Sequence, residues 1–228
     1  MGPVAVPCHT RTFAEGFEDV KLACDNEKLA ASVDCVVVSI GSGGLFNFET
    51  ALFSSTRCRT YVFDCTLANT YGGARCPTCG QVPSEIAPRT KFIPMCVAAT
   101  DFVDEEKRVF ASYGAMLREA GVRTAATVLK IDIEGGEWSV LPQVLHHAAH
   151  VLRETGEDIY PEQILLEVHF VTTLEYLPWH GRDKTAGEVF LFFNELLLEH
   201  GYALAHVQHN EKCRTCTEVV LVRALCPV

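Results

Sequence analysis

The sequence has no apolar run near the roughly 20 residues that carry a helix across a bilayer. No helical membrane span is therefore expected. Its opening stretch, Met-Gly-Pro-Val-Ala-Val-Pro-Cys, has neither a basic segment nor a long apolar core, so no signal peptide is expected. A myristoylation site would need Ser or Thr at position 6, where Val6 stands. Basic stripes are missing too: 19 Lys and Arg face 29 Asp and Glu, a net charge of −10. Polyanion binders work by neutralising phosphates with clustered cations, so no nucleic-acid partner is expected. No internal repeat occurs, and no Ser-His-Asp arrangement can be assembled from local sequence. With 48% hydrophobic and 21% charged residues, the chain is not a disordered one. Its 228 residues suit a single α/β domain, with residues 1–32 as an irregular lead-in and 33–224 as the core.

The most informative stretch is Cys35-Val-Val-Val-Ser-Ile-Gly-Ser-Gly-Gly44. A β-branched apolar run ending in glycines reads as a buried strand and a tight turn. A helix over about residues 45–55 follows. Glycines in that turn let backbone approach a ligand, because no Cβ intrudes and positive φ is allowed. A second strand over 60–64 ends on Asp64, placed to accept hydrogen bonds from ribose hydroxyls. Further strands are expected over 91–98, 126–133, 163–170, 202–207 and 218–224. Helices are expected around 26–31 and over 104–120, 139–151 and 185–200. Val109, Phe110, Tyr113, Met116 and Leu117 recur at helical spacing in the second of these. Thr185 and Glu188 form a capping-box pattern, and Pro142 fits its helix only within the first turn. Residues 66–90 read as a long loop. Strands alternating with helices imply a mostly parallel sheet with helices on both faces, closed by an antiparallel hairpin at one edge.

Asp132, Glu134 and Glu137 surround a glycine pair at the end of the 126–133 strand. Helix N-termini favour acids, which accounts for Glu137. Asp132 lies in an otherwise apolar strand, where an unpaired carboxylate is costly, and so is read as functional. Lys130 alternates with it as a candidate ion-pair partner. Glu167 and His169 alternate on one face of the 163–170 strand, either lining the pocket or contacting neighbouring loops. Eleven cysteines occur. Cys35, Cys65 and Cys96 read as small buried hydrophobes. Cys76-x-x-Cys79 and Cys213-x-x-Cys216 have the spacing of a four-thiolate structural zinc site, with disulfides and free thiols as the alternatives. His146, His147 and His150 read as neutral exposed histidines. A dinucleotide fingerprint would need a third glycine where Phe46 stands.

Leu129-Lys-Ile-Asp-Ile-Glu-Gly-Gly-Glu-Trp138, Leu166-Glu-Val-His-Phe170 and Phe63-Asp-Cys-Thr66 together resemble class I S-adenosylmethionine-dependent methyltransferases, and among them the FkbM-like branch. The resemblance covers about residues 33–224. It implies a Rossmann-like α/β fold whose seven-stranded sheet has its last strand inserted antiparallel. It also implies methyl transfer, with oxygen as the expected acceptor atom on a small molecule or an exposed group. By the same resemblance, Gly41, Ser42, Gly43 and Gly44 wrap the methionine part of the cofactor. Asp64 and Cys65 stand at the ribose, and Val97 and Ala98 border the adenine. Asp132 and Glu134 face the methyl group, with His169 and Glu167 as further catalytic candidates. Many relatives carry an acid just before the glycine turn, where this chain has Ser39. A cofactor-binding protein without turnover, and a dinucleotide-binding oxidoreductase or metal-dependent hydrolase-like enzyme, remain alternatives because fold does not fix chemistry.

Overall fold

The structure is a computed structural model that describes residues 8–13, 20–25, 28–29, 34–67, 70–71, 74–75, 80–170, 184–210, 213 and 215–224. In chain order the strands are β1 (Thr10–Phe13), β2 (Lys21–Cys24), β3 (Val36–Ile40), β4 (Arg59–Phe63), β5 (Thr70–Tyr71), β6 (Ala74–Arg75), β7 (Thr90–Ile93), β8 (Cys96–Val97), β9 (Phe102–Val103), β10 (Val109–Ala111), β11 (Val128–Ile131), β12 (Gln163–His169), β13 (Tyr202–His209) and β14 (Cys216–Arg223). The helices are α1 (Asn47–Ser55), α2 (Tyr113–Ala120), α3 (Glu137–Thr155) and α4 (Ala186–Leu198).

Seven strands form the main sheet in the order β13-β14-β12-β11-β3-β4-β7. β3, β4, β7, β11 and β12 are mutually parallel, while β14 runs antiparallel to both β12 and β13. Every residue of β3, β11 and β12 is buried. Strands covered on both faces read as continuous apolar runs, which is why the Val36–Ile40 run was legible. One face packs Val36, Val38, Ile40, Leu129 and Ile131 against Met116, Val140 and Val144 of the helices. The other packs Val37, Val128, Leu165 and Val220 with Phe13, Ala23, Phe48 and Leu52.

Several expected elements differ. The N-terminal stretch is no irregular lead-in throughout, since β1 and β2 pair as an antiparallel ladder whose apolar side enters the core. The 91–98 strand breaks after Ile93, because Pro94 has no N–H for the ladder; β8 then pairs with β10 in a small separate sheet. Only Tyr113–Ala120 of the 104–120 helix is helical, since Val109–Ala111 turns back on β9 instead. The intervening turn is fixed by Lys107 at φ 66° and by an Arg108–Asp104 ion pair of 2.5 Å. Pro142 lies beyond the first turn of α3, which starts earlier than expected, at Glu137. Most of the helix proposed around 26–31 lies outside the described residues.

Cys35, Cys65 and Cys96 are buried, but not as free thiols. Disulfides join Cys8 to Cys24, Cys35 to Cys58 and Cys65 to Cys96. The second ties the entry of β3 to the entry of β4, and the third ties the end of β4 to β8. Bonds of this kind form and persist in oxidising surroundings. Removing the Cys35–Cys58 bond, which spans 23 residues, is expected to cost about 3 kcal/mol through the freed unfolded chain. Chemical denaturation of C35S/C58S measures this, and an unchanged midpoint would refute it.

Candidate functional site

The strand order reverses between β3 and β11: the chain leaves β3 for β4 and β7, then returns to β11 on the opposite side. In open α/β sheets, the crevice at such a point is where ligands bind. The glycine bend is built for that place. Gly41 has φ 81°, and a Cβ there would stand 1.7 Å from the Asp132 carbonyl oxygen, so no other residue fits. Gly43 has φ 56°, and a Cβ there would meet nothing within 4 Å. The bend is thus tight against β11 on one side and open on the other.

Asp64 closes the bend. One carboxylate oxygen accepts from the Ser42 and Gly43 backbone N–H groups at 2.9 and 3.0 Å. The other accepts from the Thr66 N–H and hydroxyl at 2.8 and 2.6 Å. Asp64 therefore faces the bend, as expected, while its oxygens are engaged by the protein. Lys130, buried in β11, braces the bend from behind by donating to the Gly41 carbonyl at 2.6 Å.

Asp132, just past β11, meets an unexpected partner. The Lys21 ammonium of β2 lies 3.2 Å from Asp132, 2.5 Å from Glu167 and 2.7 Å from Glu218. Lys21 is 2% exposed. Burial works against its charge, but the three carboxylates outweigh that and raise its pKa. Burial also opposes ionisation of Asp132, yet the charges of Lys21, Lys130 and His169 prevail and hold its pKa well below the usual carboxylate range. Glu218 is pushed up to about 8, by burial first, with the neighbouring Glu167 carboxylate adding to the rise. The expected Lys130–Asp132 relation is there as a favourable charge interaction, and Lys21 adds an ion pair to Asp132.

The turn from β11 into α3 is held by Glu137, which is fully buried. It accepts from the Ile133 and Gly135 N–H groups at 2.8 and 3.0 Å, and its Oε1 lies 3.2 Å from His169 Nδ1. Helix-end charge alone does not describe it: Glu137 fixes both the turn and the histidine. Glu134 sits at φ 57°, an uncommon conformation for a side chain of its size. Its carboxylate lies 3.4 Å from His169 Nε2. Burial alone would lower the His169 pKa, but bonding to Glu137 and the surrounding carboxylates lift it to about 9. That shift favours the charged imidazolium at neutral pH. Asp132, Glu134, Glu167 and His169 lie close together, and Lys21, Glu137 and Glu218 complete the group.

The remaining positions divide. Cys65 follows Asp64 and is bonded to Cys96, with its N–H directed at the Cys96 sulfur at 3.1 Å. Val97 is buried in the main core, whereas Ala98 is half-buried beside Cys65 and Phe110. Ser39, where the resemblance leads one to expect an acid, donates to Glu49 of α1 at 2.7 Å; both are fully buried. Cys213 and Cys216 are bonded to each other, so in this state neither is a thiolate for the expected zinc site, while Cys76 and Cys79 lie outside the described residues. His146 and His150 are exposed, as expected. His147 is partly shielded, edge-on to Tyr113.

Among the described residues, no helix is long and apolar enough to cross a membrane. No curated protein matches the sequence. Among solved structures, the chain is similar to the methyltransferase FkbM from Methylobacillus flagellatus KT, with 13% identity over 83% of this chain and 44% of that one, at a TM-score of 0.46. It is also similar to CalO1, a methyltransferase in calicheamicin biosynthesis solved with SAH bound, with 16% identity over 85% and 50% of the two chains and a TM-score of 0.40. A third is the fibrillarin pre-rRNA processing protein of Methanococcus jannaschii, with 10% identity over 97% and 85% and a TM-score of 0.45. The chain spans about half the length of the first two. A family model described as a methyltransferase domain matches residues 6–223, nearly the whole sequence. The chain belongs to this family of methyltransferase domains.

Proposed function

We propose that the chain transfers a methyl group from S-adenosylmethionine to a hydroxyl oxygen of a small molecule or an exposed group. The observation that carries this reading is the glycine bend, packed on Asp132 at Gly41, open over Gly43 and closed by Asp64. The residues suit the cofactor: Gly41, Ser42, Gly43 and Gly44 offer bare backbone to its methionine part. Asp64 and Cys65 would stand at the ribose, with Val97 and Ala98 bordering the adenine. The sulfonium supplies an already activated methyl group, so the protein's task is alignment and exclusion of water.

Asp132 orients the acceptor in this reading. Two lysines keep it ionised, which makes it a strong hydrogen-bond acceptor and a weak base. It can hold an acceptor hydroxyl in line while the O–CH3 bond forms and the S–CH3 bond breaks, releasing S-adenosylhomocysteine, with the hydroxyl proton passing to solvent water late in the step. Glu134, on its strained turn and half-exposed, is the second group facing the acceptor. Glu167 and His169 hold Asp132 and Glu134 in place. The net charge of −10 supports an uncharged or cationic acceptor rather than a nucleic acid.

Calorimetric titration with S-adenosylmethionine and S-adenosylhomocysteine tests the cofactor. Asp132→Asn tests the role: kcat is expected to fall about 100-fold through misalignment, with cofactor affinity within about threefold of the parent. Unchanged turnover in the folded variant would refute the assignment. Cofactor binding with no methylation of any hydroxyl acceptor would favour a silent binding protein.

A further inference from the structure

We propose that His146, Glu195 and His200 form a binding site for a zinc-like divalent cation, which staples α3 to the end of α4. The site lies apart from the glycine bend, and the inference does not rest on methyl transfer. His146 comes from the middle of α3, Glu195 from α4, and His200 from the turn that follows α4. One ligand atom from each lies within 4.8 Å of the others. The His146 Nε2 to Glu195 Oε1 distance is 3.8 Å, and the two imidazole rings are 5.6 Å apart.

The second observation concerns His200. This residue is 9% exposed, and its Nε2 is a buried polar atom with no hydrogen-bond partner. Buried polar atoms are almost always satisfied, so an orphan one needs a cause. Its other nitrogen, Nδ1, lies 3.1 Å from the Tyr160 hydroxyl. With the proton on Nδ1 and donated to that oxygen, Nε2 keeps a lone pair with no hydrogen-bond partner and is the nitrogen left to bind a metal ion. An outer hydrogen bond that fixes tautomer and ring orientation is the usual support of a metal-bound histidine. Tyr160 is itself held, with the Arg223 guanidinium 4.0 Å from its ring centre.

The donor set is chemically selective. Two imidazoles and one carboxylate suit zinc and its neighbours rather than calcium or magnesium, which prefer all-oxygen shells. Tetrahedral zinc would draw its ligand atoms to roughly 3.3 Å apart. His200 is fixed by burial, whereas the His146 and Glu195 side chains are 64% and 37% exposed and free to close down on it. Solvent fills the fourth position. The staple has a structural consequence nearby: Phe192 of α4 packs 4.6 Å from Trp138, whose indole donates to the His169 carbonyl. Fixing α4 therefore steadies the wall behind the carboxylate cluster.

The test is a zinc titration of the chain carrying C76S/C79S/C226S, kept without reductant so that the disulfides, Cys213–Cys216 among them, stay closed and thiolates do not compete. We expect one zinc per chain and a rise in Tm with zinc concentration. H146A, on an exposed position that tolerates truncation, should weaken zinc binding at least tenfold, as should H200A, on the order of losing a ligand or its support. Y160F should weaken it by about tenfold, and H150A, one turn along the same helix face, should leave it within about twofold. Cobalt in place of zinc should show the intense visible bands of a tetrahedral ion, lost in H146A. The proposal fails if the parent takes up no zinc, if H146A binds as the parent does, or if H150A loses as much as H146A. None of these outcomes bears on cofactor binding, which is measured separately.

Discussion

Replacing Asp64 by Ala is expected to weaken S-adenosylhomocysteine binding by at least about 100-fold. The carboxylate accepts two backbone N–H groups from the bend and two donors from Thr66. Hydrogen bonds to a charged group contribute about 1.5–3 kcal/mol each, so losing the pair that shapes the bend costs about 3 kcal/mol or more of organisation. Each 1.4 kcal/mol is about a factor of ten in affinity. The folded chain itself should lose about 1–3 kcal/mol, because the Ser42 N–H is buried and left without an acceptor, while the exposed Gly43 can turn to water. Asp64→Asn keeps one acceptor oxygen and should fall between parent and Ala. Both values come from calorimetric titration alongside denaturant melts, which separate lost affinity from lost fold. Parent-like affinity in Asp64→Ala would mean that neither the bend nor the acid holds the cofactor.

The parts of this site written in consecutive residues were legible. The Val36–Ile40 run is apolar on both faces because parallel neighbours and helices cover it, and the glycines announce the bend. Asp132 betrayed itself as a charge in an apolar strand. The capping box at Thr185 and Glu188 formed as its spacing implied. What escaped notice was made by distance along the chain. Lys21 reaches Glu167 across 146 positions and Glu218 across 197, and nothing in Lys-Leu-Ala-Cys marks a buried ammonium. Disulfide partners are equally invisible: Cys35 inside an apolar stretch looks the same whether it is free or bonded to Cys58. The helix expected over 104–112 shows the opposite hazard. Apolar residues at helical spacing belonged to a short strand and a helix meeting at Ser112, where a tertiary pairing overrode a local period. His200 carried no signal either, since its orphaned nitrogen exists only once α3 and α4 are packed.

Lys21→Met is expected to be the most damaging single change to stability, costing about 3–5 kcal/mol near neutral pH. Methionine matches the length of the side chain but not its charge, so packing is largely kept while Asp132, Glu167 and Glu218 lose their shared cation. Removing one partner of a buried ion pair leaves uncompensated charge, a far larger loss than the pair's own net worth. The pH dependence gives the mechanism away. In the parent, the folded-state pKa of Asp132 is depressed, so its contribution is present above the unfolded carboxylate value near 4 and fades only in strong acid. In Lys21→Met Asp132 keeps only the more weakly acting Lys130 and His169, and Glu218 loses the cation that opposes its burial, so its folded-state pKa rises further above the unfolded one. Such a group stabilises the fold below about pH 4 and loses that contribution as pH rises through the raised value. The deficit of the variant should therefore be smallest near pH 4–5 and widen towards pH 8. Urea melts of both proteins across that range measure it, and a deficit independent of pH would show that Lys21 acts by packing alone. The same substitution releases Asp132 from its nearest cation, so its basicity should rise while its position loosens. Turnover that survives, or increases, in folded Lys21→Met at the lower end of the range would make Asp132 a base rather than an orienter. A fall in kcat of the size expected for Asp132→Asn would place the lysine and the aspartate in one alignment device.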